Sequence, residues 1–179
     1  ALRAELEADG VTFASDTDTE VIVHLVEKGL CDGADLLTAV RRALPRIQGA
    51  SAFVFISRDD PDCLVTARLG NAGGIVIGQG DGETFIASDI PAILEYTRDV
   101  LFLENRQIAR ITRDGAEVLS LDDTPVNLRT YTIPWDPVAA EKGTYRHFMQ
   151  KEISEQPRAI TDTIRGRANF NRGRIDLDT

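Results

Sequence analysis

The hydrophobic period of this chain changes once, just past Pro45, and that change limits what it can fold into. Before it, Val21, Ile22, Leu25 and Val26, then Leu36, Leu37, Val40 and Leu44 with Ile47 beyond, recur at the three- and four-residue spacings that line one face of a helix. After it come short extended runs at 52–56, 64–67, 75–77, 84–87, 100–103, 107–111 and 117–119. Turn-forming clusters separate them: Asp59-Asp60-Pro61-Asp62, Gly70-Asn71-Ala72-Gly73-Gly74, Gly78-Gln79-Gly80-Asp81-Gly82, Glu104-Asn105 and Asp114-Gly115. Helices over about 20–30 and 34–44 followed by mostly antiparallel strands make an α+β pattern. Several of the runs are apolar at every position, so the sheets they build need covering on both faces.

The flanks carry further signals. Residues 1–8 are helical in pattern but lack a start signal, and they read as the tail of a helix that began upstream. A short strand is expected over 11–14, leading into Ser15-Asp16-Thr17-Asp18-Thr19-Glu20. There Thr17 and Glu20 have the Thr-x-x-Glu spacing of a capping box, in which hydroxyl and carboxylate each satisfy a free backbone amide at the helix start. Texture changes again over 127–143, where Pro134 and Pro137 stiffen an extended stretch and 138–142 make at most a short helix, placing a boundary near residue 132. Beyond it, Met149, Ile153, Ile160 and Ile164 recur at helical spacing around Pro157, which either opens a new turn or kinks a continuing one. Two short amphipathic helices are expected there, and the polar tail 169–179 reads as a linker or the start of a further domain.

Composition narrows the functional classes. A chain of 179 residues with 42% hydrophobic and 27% charged residues is an ordinary globular protein, and its formal charge of −9 opposes nucleic-acid binding, which needs a concentrated basic face. The basic bias is local, in Arg158, Arg165, Arg167, Arg172 and Arg174. No apolar stretch approaches the ~20 residues of a membrane span, and the N-terminus has no secretory pattern, so no membrane partner and a cytosolic location are expected. Cys31 and Cys63 read as reduced apolar fillers, and His24 and His147 lack metal-ligand neighbours, so neither a metal nor another cofactor is expected. The glycines of 70–82 lie between strands without a following helix and read as hairpin turns, not a phosphate loop. No serine or cysteine sits in a nucleophile context. Asp18 on residues alone reads first as a helix cap or dipole complement, and second as a carboxylate for a ligand amine.

Literal strings go further than periodicity. Leu2-Arg3-Ala4-Glu5-Leu6, Gly10-Val11-Thr12-Phe13-Ala14-Ser15-Asp16-Thr17-Asp18-Thr19-Glu20-Val21-Ile22, Ile47-Gln48-Gly49-Ala50-Ser51-Ala52-Phe53, Phe85-Ile86-Ala87-Ser88-Asp89 and Tyr145-Arg146-His147-Phe148-Met149-Gln150-Lys151-Glu152-Ile153-Ser154-Glu155-Gln156-Pro157 run in this order through nearly the whole chain. Together they resemble the glutamine:fructose-6-phosphate aminotransferase family. The resemblance implies part of an N-terminal-nucleophile hydrolase α/β/β/α sandwich, of the class II glutamine amidotransferase type, with a C-terminal helical linker. On this reading 1–132 is the back part of the glutaminase domain and 133–179 the interdomain linker with the start of a sugar isomerase domain. In the family a first-residue cysteine, activated by its own α-amino group, releases ammonia from glutamine, and the ammonia aminates fructose 6-phosphate. A free α-amine has a pKa near ~7.7 and can serve as that base.

The chain begins at Ala1, without the cysteine, the Arg-x-x-x-Ala-Thr-His-Gly loop or the His-Asn-Gly-x-x-x-Asn segment of the family, so no catalytic residue is assigned and this polypeptide is expected to be inactive alone. One residue carries over: Asp18 matches the family carboxylate that takes the α-amino group of glutamine. Gly70-Asn71-Ala72-Gly73-Gly74 departs from a shorter family turn, which touches only local loop geometry. The expected partners are glutamine, fructose 6-phosphate through the downstream domain, and a second copy in a homodimer, with self-association favoured by uncovered sheet edges. Two alternatives stay open: another class II amidotransferase feeding a different acceptor, and a non-catalytic scaffold.

Overall fold

The structure is a computed structural model and describes residues 2–134, 143–164, 168–169 and 174–175. It divides into two compact units, residues 1–134 and 135–179.

The first unit opens with helices α1 (Leu2–Ala8), α2 (Thr19–Cys31) and α3 (Leu36–Ala43), the last running into a 3₁₀ turn at Leu44–Arg46 that has Pro45 in its first turn. Asp35 is extended and accepts a 2.8 Å hydrogen bond from the Thr38 amide, so its side chain caps α3, and this bonding holds the carboxyl below its usual range. Gly29 sits in the interior of α2, where a helix ordinarily loses stability by having glycine. A Cβ there would stand 3.0 Å from the Ala39 Cβ, so the missing side chain is what lets α2 and α3 lie so close.

Ten short strands follow among the described residues, in two main sheets and a separate pair. Strands β1 (Ser51–Ser57), β2 (Asp60–Leu69), β6 (Gln107–Thr112) and β7 (Gly115–Ser120) form an antiparallel sheet in the order β1-β2-β6-β7. Strands β3 (Val76–Gln79), β4 (Thr84–Ala87), β5 (Asp99–Phe102) and β8 (Tyr131–Thr132) form a second, also antiparallel, in the order β4-β3-β5-β8. Strand alternation sends Cys63, Val65, Ala67 and Leu69 to the helix side, where they meet Leu6, Ile22, Leu25, Val26, Leu36, Val40 and Leu44. The opposite face, with Ala109, Ile111 and Val118, packs on Ile75, Ile77, Leu101 and Leu103 of the second sheet region. Helices, sheet and sheet therefore stack as three layers, which is the two-sided covering that the apolar runs demand. On the far side of the second sheet Ile93 and Thr97 press on Gly78, where a Cβ would come within 2.6 Å of the Thr97 Cγ2 and 2.8 Å of the Ile93 Cδ1.

Several expectations change. Residues 11–14 are not a strand: the segment is held by Val11 N bonding Leu6 O at 2.9 Å and by side chains described below, and it pairs with no strand among the described residues. The first hairpin turns at Arg58-Asp59, so Asp60 and Pro61 lie in β2, ahead of the stretch from Leu64 that pairs with β6. Proline is tolerated there because its missing donor falls outside that ladder. Cys31 is exposed and so fills no core, whereas Cys63 is buried; both are free.

In the second unit, α4 (Phe148–Ile164) is one continuous 17-residue helix with Pro157 inside it, where two helices were expected. Proline removes one i to i−4 bond, and the hydroxyls of Ser154, Thr161 and Thr163 bond back to the carbonyls of Gln150, Pro157 and Ala159 along the same turns. Its stripe is exposed at Phe148, Met149, Ile153, Ile160 and Ile164. Strands β9 (Ala168–Asn169) and β10 (Arg174–Ile175) form the separate antiparallel pair. The helix expected over 138–142, Arg165, Arg167, Arg172 and most of the tail lie outside the described residues.

The α3 cap gives a direct check. Asp35→Ala is expected to lower stability by about 1 kcal/mol in urea unfolding, with an unchanged slope.

Candidate substrate-binding site

Asp18 stands at the junction between the irregular segment and α2, and its backbone is already helical, with φ −70° and ψ −26°. A helical N-cap backbone does not aim the side chain at the first-turn amides, and the Asp18 carboxylate makes no cap bond. It forms no hydrogen bond or ion pair with any described residue. The reading of Asp18 as a side-chain cap is thus overturned. What remains is an exposed carboxylate at a helix N-terminus, where the α2 dipole favours negative charge.

That carboxylate borders a cavity of about 540 Å³ whose polar lining includes Arg3, Arg46, Gln48 and Ser51 and whose apolar wall includes Ile22 and Phe53. The two arginines are already engaged. Arg3 bonds Glu7 at 3.1 Å and the Ser15 carbonyl at 3.0 Å and lies 4.4 Å over the Phe13 ring, and Arg46 pairs with Glu5 at 2.6 Å. Asp18 is therefore the lining charge left without a partner, and the complementary ligand group is a cation with hydrogens to donate, such as an ammonium. Ser51 and Thr19 are the lining hydroxyls, and among the described residues neither has a base bonded to it. The lining can bind and orient but offers no nucleophile and base together.

At Glu20, two residues beyond Asp18, the expected capping box fails. Glu20 reaches past Thr17 to accept from the amides of Ala14 at 2.6 Å and Ser15 at 2.8 Å, and from the Ser15 hydroxyl. Thr17 turns its hydroxyl to the Ser15 Oγ at 2.8 Å. The Ser15 hydroxyl first, then the Ala14 amide, pull the Glu20 carboxyl from 4.5 down to about 2. His24 bridges Glu20 at 3.4 Å and Glu27 at 3.1 Å and packs edge-on to Phe13. Among the described residues no group of histidine, cysteine and carboxylate side chains could hold a metal, and no helix is long and apolar enough to cross a membrane.

Comparison with known proteins bears on this geometry. A family model described as a glutamine amidotransferase domain matches residues 1–95, more than half of the chain. The chain belongs to the glutamine amidotransferase family. Its relatives include the glutamine–fructose-6-phosphate aminotransferase (isomerizing) of Symbiobacterium thermophilum, 46% identical over 98% of this chain, and that of Mycobacterium leprae, 47% identical over 99%. The Aquifex aeolicus enzyme of the same name is 44% identical over 92%. The chain spans a little over a quarter of these relatives' length, 28%, 29% and 27% respectively. Among solved structures, the glutamine phosphoribosylpyrophosphate amidotransferase of B. subtilis superposes with a TM-score of 0.56 at 23% identity, over 67% of this chain and 26% of that one. A second, titled as the allosteric regulatory enzyme of purine biosynthesis, gives the same TM-score at 25% identity, over 67% of this chain and 25% of its own. The amidotransferase fold is thus α+β here as there, part of the N-terminal-nucleophile hydrolase sandwich.

The depressed Glu20 carboxyl yields a pH dependence with a definite sign. Its stabilising contribution is complete above the ordinary value of 4.5 and is lost as pH falls through about 2. Glu20→Gln is expected to lose that part of the acid sensitivity, and the Glu20 carboxyl carbon to titrate near pH 2 by NMR. Asp18→Ala, lacking a cap bond to lose, is expected to change stability by under about 0.5 kcal/mol, in contrast to Asp35→Ala.

Proposed function

We propose that this chain is part of a glutamine–fructose-6-phosphate aminotransferase, which hydrolyses glutamine and transfers the ammonia to fructose 6-phosphate to make glucosamine 6-phosphate, and that Asp18 binds the α-ammonium of glutamine. The observation that carries the site assignment is the unpaired Asp18 carboxylate on a cavity whose arginines are already neutralised. The names of relatives at 44–47% identity support the reaction and its two substrates. In this reading Asp18 anchors and orients the substrate and takes no part in breaking the amide. Ammonium against carboxylate is a charge-assisted contact, stronger than a neutral one and geometrically demanding.

The division that fits this reading assigns 1–132 to the glutaminase domain and 133–179 to the linker and the start of the sugar isomerase domain. Fructose 6-phosphate belongs to that downstream domain. A cytoplasmic homodimer is the assembly proposed.

Asp18→Asn preserves shape and removes the charge. In the full-length enzyme carrying this chain it is expected to raise the KM for glutamine roughly tenfold to a hundredfold while changing kcat far less, as loss of a substrate-anchoring contact does. Steady-state glutaminase kinetics check this, and an unchanged KM removes Asp18 from the site.

A further inference from the structure

Among the described residues none hydrogen-bonds or ion-pairs with the Asp18 carboxylate, so its position is set by the backbone around it. The segment before it has few backbone anchors: after Val11 N bonds Leu6 O, the next described backbone bond is Val21 N to Asp18 O at 3.2 Å. Between those points the amides of Ala14 and Ser15 would be open, and a single carboxylate takes both of them together with the Ser15 hydroxyl.

From this geometry we infer that Glu20 is a positioning residue for the substrate site: it locks residues 14–17 in the course that delivers Asp18 to the cavity. The inference rests on the reading of Asp18 as the partner of the glutamine ammonium. Glu20 lies on the first turn of α2, two residues beyond Asp18, so segment and helix are tied to each other on both sides of the aspartate. A closed circuit of contacts fixes the clamp. Glu20 meets His24, the His24 ring meets Phe13 with centroids 4.8 Å apart, Phe13 carries the Arg3 guanidinium on its face, and Arg3 donates back to the Ser15 carbonyl. Glu27 holds the other imidazole nitrogen, so the ring that backs Glu20 is itself oriented. Two acidic side chains two residues apart thus divide the work, one saturated with donors and the other left free for a ligand.

A residue that only stabilises α2 would alter folding without touching substrate affinity, and the test separates the two roles. Glu20→Ala, Glu20→Gln, Asp18→Asn and the Glu20→Ala/Asp18→Asn double variant are compared by steady-state glutamine hydrolysis in the full-length enzyme carrying this chain. Amide hydrogen exchange at Ala14 and Ser15 is read on the same proteins. Glu20→Ala is expected to raise the KM for glutamine roughly tenfold with kcat within about twofold, and to strip exchange protection from both amides. Glu20→Gln, which keeps one acceptor oxygen but turns an NH₂ toward the remaining donors, is expected to fall between, and it serves if the alanine variant does not fold. Because both residues act through one contact, the double variant should raise KM little beyond Asp18→Asn. A raised KM in Asp18→Asn with an unchanged KM in both Glu20 variants, or fully additive effects in the double variant, overturns this inference alone. An unchanged KM in Asp18→Asn overturns the Asp18 assignment and this inference with it.

Discussion

The two-sided burial of the β1-β2-β6-β7 sheet is the constraint on which the first unit depends. Its helix face has no polar break at Val65, Ala67 and Ile108, all fully buried, and its other face is as dry at Ala109 and Ile111. A sheet of this kind cannot exist as a single layer, because each uncovered face would expose apolar area at a cost of roughly 25 cal/mol per Å². Its polar members are accommodated individually. Thr66, fully buried, donates to the Phe53 carbonyl across the strand pair at 2.8 Å, and Arg68 donates from its two terminal nitrogens to the carbonyls of Leu103 and Ala72, at 2.9 and 3.3 Å, while its Nε is buried without a partner. The arginine thereby ties the end of β2 to the segments that flank the second sheet.

That covering stops short at β1. Phe53 and Phe55 point to the helices and join their core, while Val54 and Ile56, on the opposite face, remain 54% and 71% exposed. Strand β1 ends the sheet order, its seven residues carry no charge and no proline, and natural edges are usually blunted by both. The α4 stripe in the second unit shows the same imbalance between apolar content and burial.

Much of this was legible in residue order because the signals were local. Helix and strand periods placed α2, α3 and the larger strands to within a few residues, and the demand for covering on both faces followed from apolar runs such as Leu64–Ala67. What escaped depended on partners distant in sequence. Residues 11–14 have strand composition, but composition supplies no neighbouring strand, and a glutamate six residues on takes the amides instead. Strand β8 is only two residues long and exists through its pairing with Asp99 and Val100. The continuity of α4 through Pro157 is a balance between one lost hydrogen bond and the rest of the helix, which spacing alone does not decide. The cavity beside Asp18 is closed by Arg46, Gln48 and Ser51, brought there by the turn after α3 from about thirty positions away.

The capping-box spacing is the instructive case, since it selected the right acid and the wrong target. Thr-x-x-Glu predicts that the glutamate turns back to the amide of the threonine three residues before it; here α2 starts at Thr19, and the amides that Glu20 takes are those of Ala14 and Ser15. A side-chain cap from Asp18 itself would consume the carboxylate that borders the cavity, because an aspartate bonded to first-turn amides has fewer lone pairs and less charge to offer a ligand. By giving the stabilising task to Glu20, the fold leaves Asp18 at the positive end of α2 with nothing to satisfy it. On the reading of Asp18 proposed above, an ammonium entering the cavity would break no contact within the protein, which favours binding over a site that must first give up an internal partner.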